Sequence, residues 1–206
     1  MKQAHAEGLK KQTENPFLNM YEVEAVGRDG THFPYYFASR RADGDLLFET
    51  GKLRADGVVI YPVYKPEPDK IVVLRQFRYP VNKYIYELPA GLIDEGESAE
   101  TAAVREMKEE TGLIFEPFRD YPEALKRPFI QSQGMADECD ITIFGYAEGE
   151  ISSAKEESTE DIQVFLADKT EVKRILQEEW VSVRGAYLMT AFLKSNPSDP
   201  FAFLKI

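Results

Sequence analysis

The stretch that most constrains this chain runs from Gly91 to Leu113 and ends in Glu106, Glu109 and Glu110. If those residues are helical, spacings of three and four put all three carboxylates on one face. The local signals predict a helix over roughly 98–111. Ser98 can cap its N-terminus, Glu100 sits in the positive first turn, and Gly112 is a natural stop. Three like charges on one face destabilise a bare helix. Either water solvates them, as in most charge runs, or a divalent cation neutralises them. Carboxylate oxygens without His or Cys select Mg²⁺ or Mn²⁺ over zinc.

Composition narrows the partners. The chain has 206 residues, 43% of them hydrophobic and 30% charged, with a net charge of −11 and a sequence pI near 4.8. An acidic surface repels phosphate backbones and anionic lipid, so neither nucleic acid nor membrane is an expected partner. An anionic small molecule would have to meet Arg, Lys or bound metal. Cys139 is the single cysteine, so there is neither an intrachain disulfide nor a thiolate zinc cluster, and His5 and His32 are too few for a multi-His site. The opening residues lack an apolar core of signal-peptide length. A cytoplasmic location is the default expectation.

Along the chain, residues 1–15 are polar and expected to fray. Residues 17–50 read as a small antiparallel β lobe. FLNMYEVEAV and HFPYYFASRR are joined by the turn Asp29-Gly30, and DLLFE follows a second turn at Asp43-Gly44. Three such strands are too few to stand alone, so the lobe must pack on something, and a partner chain is one candidate. Residues 51–206 form the main domain. VVIYPVY and KIVVLRQF flank the turn Pro66–Asp69, and YIYELPAG leads into the helix. ITIFGYA and IQVFL follow as strands, then helices at about 170–178 and 183–194, the latter capped by Ser182. This order implies an α+β chain with a mixed sheet covered by helices. The tail SNPSDPFAFLKI has no clear reading beyond apolar residues at Phe201, Phe203 and Leu204.

The surrounding residues decide between solvated face and metal site. Gly91, five residues, Glu97, seven residues, then Arg105-Glu106-Met107-x-Glu109-Glu110-x-Gly112-Leu113 resembles the Nudix signature at every defined position. Chance agreement is on the order of one in a billion per starting position. The resemblance implies the Nudix fold, an α/β/α sandwich with a mixed β-sheet. On the motif's mechanics, Gly91 lets the backbone turn so that the Ala90 carbonyl can face a metal. Arg105 can pair with Glu97 and Glu109 and hold the carboxylates. Glu106 and Glu110, one turn apart, can bridge cations, and Met107 and Leu113 face the core.

The flanks RQFRY and YELPAGLIDEGE resemble the ADP-ribose and nucleoside-diphosphate-sugar pyrophosphatase branch of that family. The resemblance implies Mg²⁺- or Mn²⁺-dependent hydrolysis of the diphosphate bond of ADP-ribose or a related nucleotide sugar. GDP-mannose, UDP-sugars, dinucleotides or a non-catalytic nucleotide-sugar sensor are the alternatives. It implies metal ligands at Ala90, Glu106, Glu109 and Glu110, and substrate contacts at Arg54, Arg78, Leu92 and Ser132. Arg78 could equally make an ordinary surface ion pair. SQGMADE carries Gln133 where the branch usually has proline, which bears on ADP-ribose specificity. The catalytic set is Glu109 and Arg105 together with a base, either Glu160 in the 155–161 loop or Glu138, with Glu156 and Glu157 as rivals to Glu160. The branch also implies a homodimer formed through the N-terminal lobe of residues 1–50, with aromatics or Arg of that lobe helping to hold the nucleobase.

Overall fold

Apolar runs in this chain fall into two period classes, and the computed structural model realises both. It describes residues 3–152 and 161–205. In chain order the elements are β1 (His5–Lys11), β2 (Asn19–Val26), β3 (His32–Ser39), α1 (Leu47–Thr50), β4 (Gly57–Tyr64), β5 (Lys70–Arg78), β6 (Lys83–Glu87) and β7 (Ala90–Leu92). Then come α2 (Ala99–Thr111), β8 (Ile114–Pro117), β9 (Phe129–Ile130), β10 (Cys139–Glu148), β11 (Ile162–Asp168), α3 (Lys169–Glu178) and α4 (Val183–Lys194). The chain divides into two compact units. The first comprises 1–56 and 128–140, the second 57–127 and 141–206. No helix among the described residues is long and apolar enough to cross a membrane.

The first unit contains a three-stranded antiparallel sheet, β1-β2-β3. Two expectations change here. The segment expected to fray contains a strand: β1 pairs with β2, His5 opposite Val26 and Lys11 opposite Tyr21. Its side chains are nearly all exposed, so no apolar alternation marks it, and backbone bonding alone adds the strand. DLLFE is not a strand. Leu46 is fully buried, and the Glu49 carboxylate accepts from Gly44 N (2.7 Å) and Leu46 N (3.3 Å). These bonds curl the segment into one helical turn, which ends at Gly51 in the left-handed region.

A buried fork holds this unit's non-contiguous pieces. Arg41 donates from Nε and Nη2 to Asp56, both at 2.9 Å, and Asp56 also accepts from Cys139 N at 2.8 Å. A buried ion pair is sustained when its remaining lone pairs and protons are satisfied. Arg41 meets that condition by also donating to the Arg54 carbonyl. Membership of 128–140 in this unit cannot be expressed by a single cut in the sequence.

The second unit is built on strands in the order β11-β5-β4-β10-β8, with β6 beside β5 and β7 beside β4. In β4, every residue from Gly57 to Val63 is buried, the mark of a strand covered on both faces. Val59, Tyr61 and Val63, with Ile71 and Val73, join α3, α4 and the tail in one core. The interleaved Val58, Ile60, Val72 and Leu74 are equally buried and face the other way, and α2 packs on β4 and β7. Helix, mixed sheet and helix therefore form the layers expected of an α+β Nudix-like chain. The tail is part of the core: Phe201 stacks on Phe118 with centroids 4.5 Å apart, and Leu204 is buried beside it.

Candidate active site

Helix α2 carries the carboxylates, and its ends are set by local chemistry. Ser98 Oγ accepts from Thr101 N at 3.1 Å, and Gly112 closes the helix in the left-handed region. Ala102, Ala103 and Met107 are buried on its inner face, and Leu113, just beyond its end, is buried too. The acidic residues are thereby turned toward β7 and toward Arg105.

Arg105 is the hub of the cluster. Nε and Nη2 fork onto Glu97 (3.1 and 2.9 Å), and Nη1 donates to Glu106 (2.7 Å) and Glu109 (3.2 Å). Nη2 also donates to the Leu92 carbonyl at 2.9 Å. One guanidinium thus offsets the repulsion among three carboxylates, more than the two expected. The hydrogen bond that Arg105 donates to Glu97, then those it donates to Glu106 and Glu109, raise the Arg105 pKa above its already high ordinary value. Arg105 in turn holds the Glu97 carboxyl below the usual carboxylate range. Arg105 therefore acts on the carboxylates by holding them, and its side chain is a positioning group.

Gly91 is explained differently from the expectation of a tight turn. Its φ is not in the left-handed region, and it lies in β7 opposite Val58. Any Cβ here would stand inside the Glu106 carboxyl group. The glycine is required by close approach: it lets Glu106, 14% exposed, lie flat against the strand. Glu110, one turn on and 4% exposed, accepts from Ala90 N at 3.2 Å. Two carboxylates of α2 thus meet the same three-residue strand that carries the Ala90 carbonyl. Glu109, at 44%, is the most exposed of the three.

This donor set consists of oxygens alone, with no His or Cys, and suits a hard divalent cation. The side chains do not already surround one point. Among the described residues no group of three His, Cys, Asp or Glu is gathered as a metal cage. Glu97, Glu106 and Glu109 are gathered around Arg105 instead.

The other expected site residues are placed as follows. Arg78, at the end of β5, forks onto Glu87 of β6 through Nε (2.5 Å) and Nη2 (3.3 Å). Leu92 ends β7, is half exposed, and gives its carbonyl to Arg105. In the first unit, Arg54 pairs with Asp45 at 2.5 Å. Ser132 opens a turn whose carbonyl accepts from Met135 N and Ala136 N, both at 2.8 Å. Glu138 lies 3.8 Å from Arg40, and both border a cavity of about 180 Å³ with Ser132 and Met135. Glu156, Glu157 and Glu160 lie outside the described residues. Two contributors escaped the sequence reading: Glu87, whose signal was the acidic residue opening ELPAG, and the Leu92 carbonyl, which no sequence pattern marks.

Residues 53–188 match the NUDIX domain family. The ADP-ribose pyrophosphatase of Bacillus subtilis is 32% identical over 153 residues, covering 69% of this chain and 78% of that protein. The ADP-ribose pyrophosphatase of Saccharomyces cerevisiae is 52% identical over 60 residues. The ADP-sugar pyrophosphatase of Mus musculus is 45% identical over 60 residues. Those two matches span only about a quarter of their relatives, 26% and 28% of their length. A crystal structure of an ADP compounds hydrolase superposes with a TM-score of 0.65 at 17% identity, covering 94% of this chain and 96% of the other, which establishes the fold.

Proposed function

The chain belongs to the NUDIX domain family, and from that premise we propose that it hydrolyses the diphosphate bond of ADP-ribose or a related nucleoside diphosphate sugar. The products are a nucleoside monophosphate and a sugar phosphate. The observation that carries the reading is the carboxylate array of α2, laid on Gly91 and braced by Arg105. Arg105 offsets part of the repulsion on this face, and a bound divalent cation would offset the rest. The similarity to ADP-ribose and ADP-sugar pyrophosphatases supports the substrate class.

The Ala90 carbonyl, Glu106, Glu109 and Glu110 would hold Mg²⁺, with Mn²⁺ as a substitute. When bound, that ion neutralises the diphosphate and lowers the pKa of water toward neutrality. The chain's own residues do the rest. Arg105 keeps Glu97, Glu106 and Glu109 from springing apart. The water oxygen attacks one phosphorus, the bridging P–O bond breaks, and the water proton passes to a carboxylate. The resemblance assigns that carboxylate to Glu160, with Glu138 as the alternative offered by the SQGMADE loop, and assigns Arg54, Arg78, Leu92 and Ser132 to substrate. Arg78 supplies the positive charge that a net charge of −11 makes scarce.

The protein is a homodimer through its N-terminal lobe, where Phe33, Tyr35 and Tyr36 of β3 stand exposed. It works in the cytoplasm, a compartment that suits a chain with one cysteine. The test of the substrate class is a panel with Mg²⁺: ADP-ribose, GDP-mannose, UDP-glucose, diadenosine polyphosphates, NADH and nucleoside triphosphates. Highest turnover on a nucleotide sugar supports the reading, and a preference for triphosphates overturns it.

A further inference from the structure

We infer that Glu87 is a positioning residue for the reaction: its buried carboxylate fixes the plane and reach of the Arg78 guanidinium. The inference rests on the proposed diphosphate chemistry and on Arg78 as a substrate contact. Glu87 is 7% exposed in its side chain and Arg78 39%, so the pair joins a buried anion to a cation at the surface. Both bonds come from the same edge of the guanidinium, Nε and Nη2, to the two carboxylate oxygens. A two-point contact sets orientation as well as distance, which a single bond to a flexible Arg does not.

The carboxylate is itself anchored on rigid backbone. Glu87 pairs with Leu74 in the β5–β6 ladder. Its neighbour Tyr86 donates to the Trp180 carbonyl (2.7 Å) and accepts from Ser182 N (3.0 Å). Helix α4 docks against the same point. A Cβ at Gly185 would make ordinary contact with Glu87 Cα at 3.6 Å and would press on the Ser182 cap oxygen at 2.9 Å, so the first turn of α4 lies close beside this strand. The strand, the α3–α4 connection and the first turn of α4 therefore converge on the residue that steers Arg78. Salt bridging for stability alone is poorly served by this arrangement, because burying a carboxylate costs more than leaving it in water. Holding a cation in one pose for an incoming diphosphate is served well.

The test is a double-mutant cycle on Glu87→Gln and Arg78→Gln in the full chain, read as kcat/KM on ADP-ribose with Mg²⁺. ADP-ribose binding is measured by calorimetry in EDTA, and Tm is measured for each variant. Glu87→Gln should lower kcat/KM about 10- to 100-fold, weaken binding in EDTA, and leave a cooperative melt. Glu87→Asp, which keeps the charge, should recover part of the loss. In the Arg78→Gln background, Glu87→Gln should cost nothing more. Multiplicative losses, or a Glu87→Gln that matches wild type, overturn the inference alone. A wild type that neither binds nor hydrolyses ADP-ribose or any other nucleotide sugar of the panel overturns the proposed function and this inference with it.

Discussion

At the residue scale, the site depends on what is missing at position 91. An ordinary glycine argument would invoke a left-handed backbone, but Gly91 is extended and its hydrogen faces the Glu106 carboxyl. Gly91→Ala must therefore push Glu106 away from β7 or shift the strand. The helix caps and the buried face of α2 do not involve this contact, so folding should persist. We expect a loss of at least about 100-fold in kcat, since displacing a reacting group by an ångström can cost that much. Circular dichroism should be unchanged. An alanine variant with wild-type turnover would show that the Glu106 pose is irrelevant. The motif made Gly91 and Glu106 legible from the sequence, but not their contact, because two residues fifteen apart on different elements have no local signal. Glu87 was hidden for the same reason: its meaning lies in a cross-strand partner, not in its neighbours.

At the element scale, structure with strong local signals was readable. Helix α2 has a side-chain cap at Ser98 and a left-handed stop at Gly112, and α4 is capped by Ser182, so both begin and end where expected. Strands β4 and β5 announce themselves as apolar runs around a Pro-rich turn. Strand β1 and helix α1 did not. The first is polar and exists through pairing with β2. The second has the apolar run of a strand but is curled by a single glutamate. The first unit also offers an element-level test. Tyr21 on β2 donates to Asp43 at 2.7 Å, tying the strand to the turn before α1. Burial, then that hydrogen bond, push its phenol from 10.0 up to about 12. The folded state keeps this proton more tightly than the unfolded chain. The contribution is whole below pH 10 and is lost as pH rises toward 12. Tyr21→Phe should cost about 1 kcal/mol near neutrality. The gap in urea unfolding should close as pH rises through that window. A gap independent of pH would contradict the assignment.

At the scale of the whole molecule, the first unit bears on assembly. The exposed aromatics of β3 and the small size of the β1-β2-β3 sheet argue for a covering partner, and a second copy supplies an identical surface. Light scattering should give twice the 23.5 kDa chain mass, and a charge placed at Tyr35 or Phe33 should yield monomers. A wild type that stays monomeric at high concentration would contradict this. If the carboxylates of α2 hold the ion used in hydrolysing a diphosphate, removing one of their charges should suppress the entry of water oxygen into the products. ADP-ribose should be incubated with Mg²⁺ in H₂¹⁸O, with wild type and with Glu110→Gln, and the products identified by mass spectrometry. Wild type should yield AMP and ribose 5-phosphate with one ¹⁸O atom in one of the two. Glu110→Gln, folded but lacking one charge, should slow this by orders of magnitude. Intact ADP-ribose after incubation with wild type, or equal product from Glu110→Gln, would contradict the account.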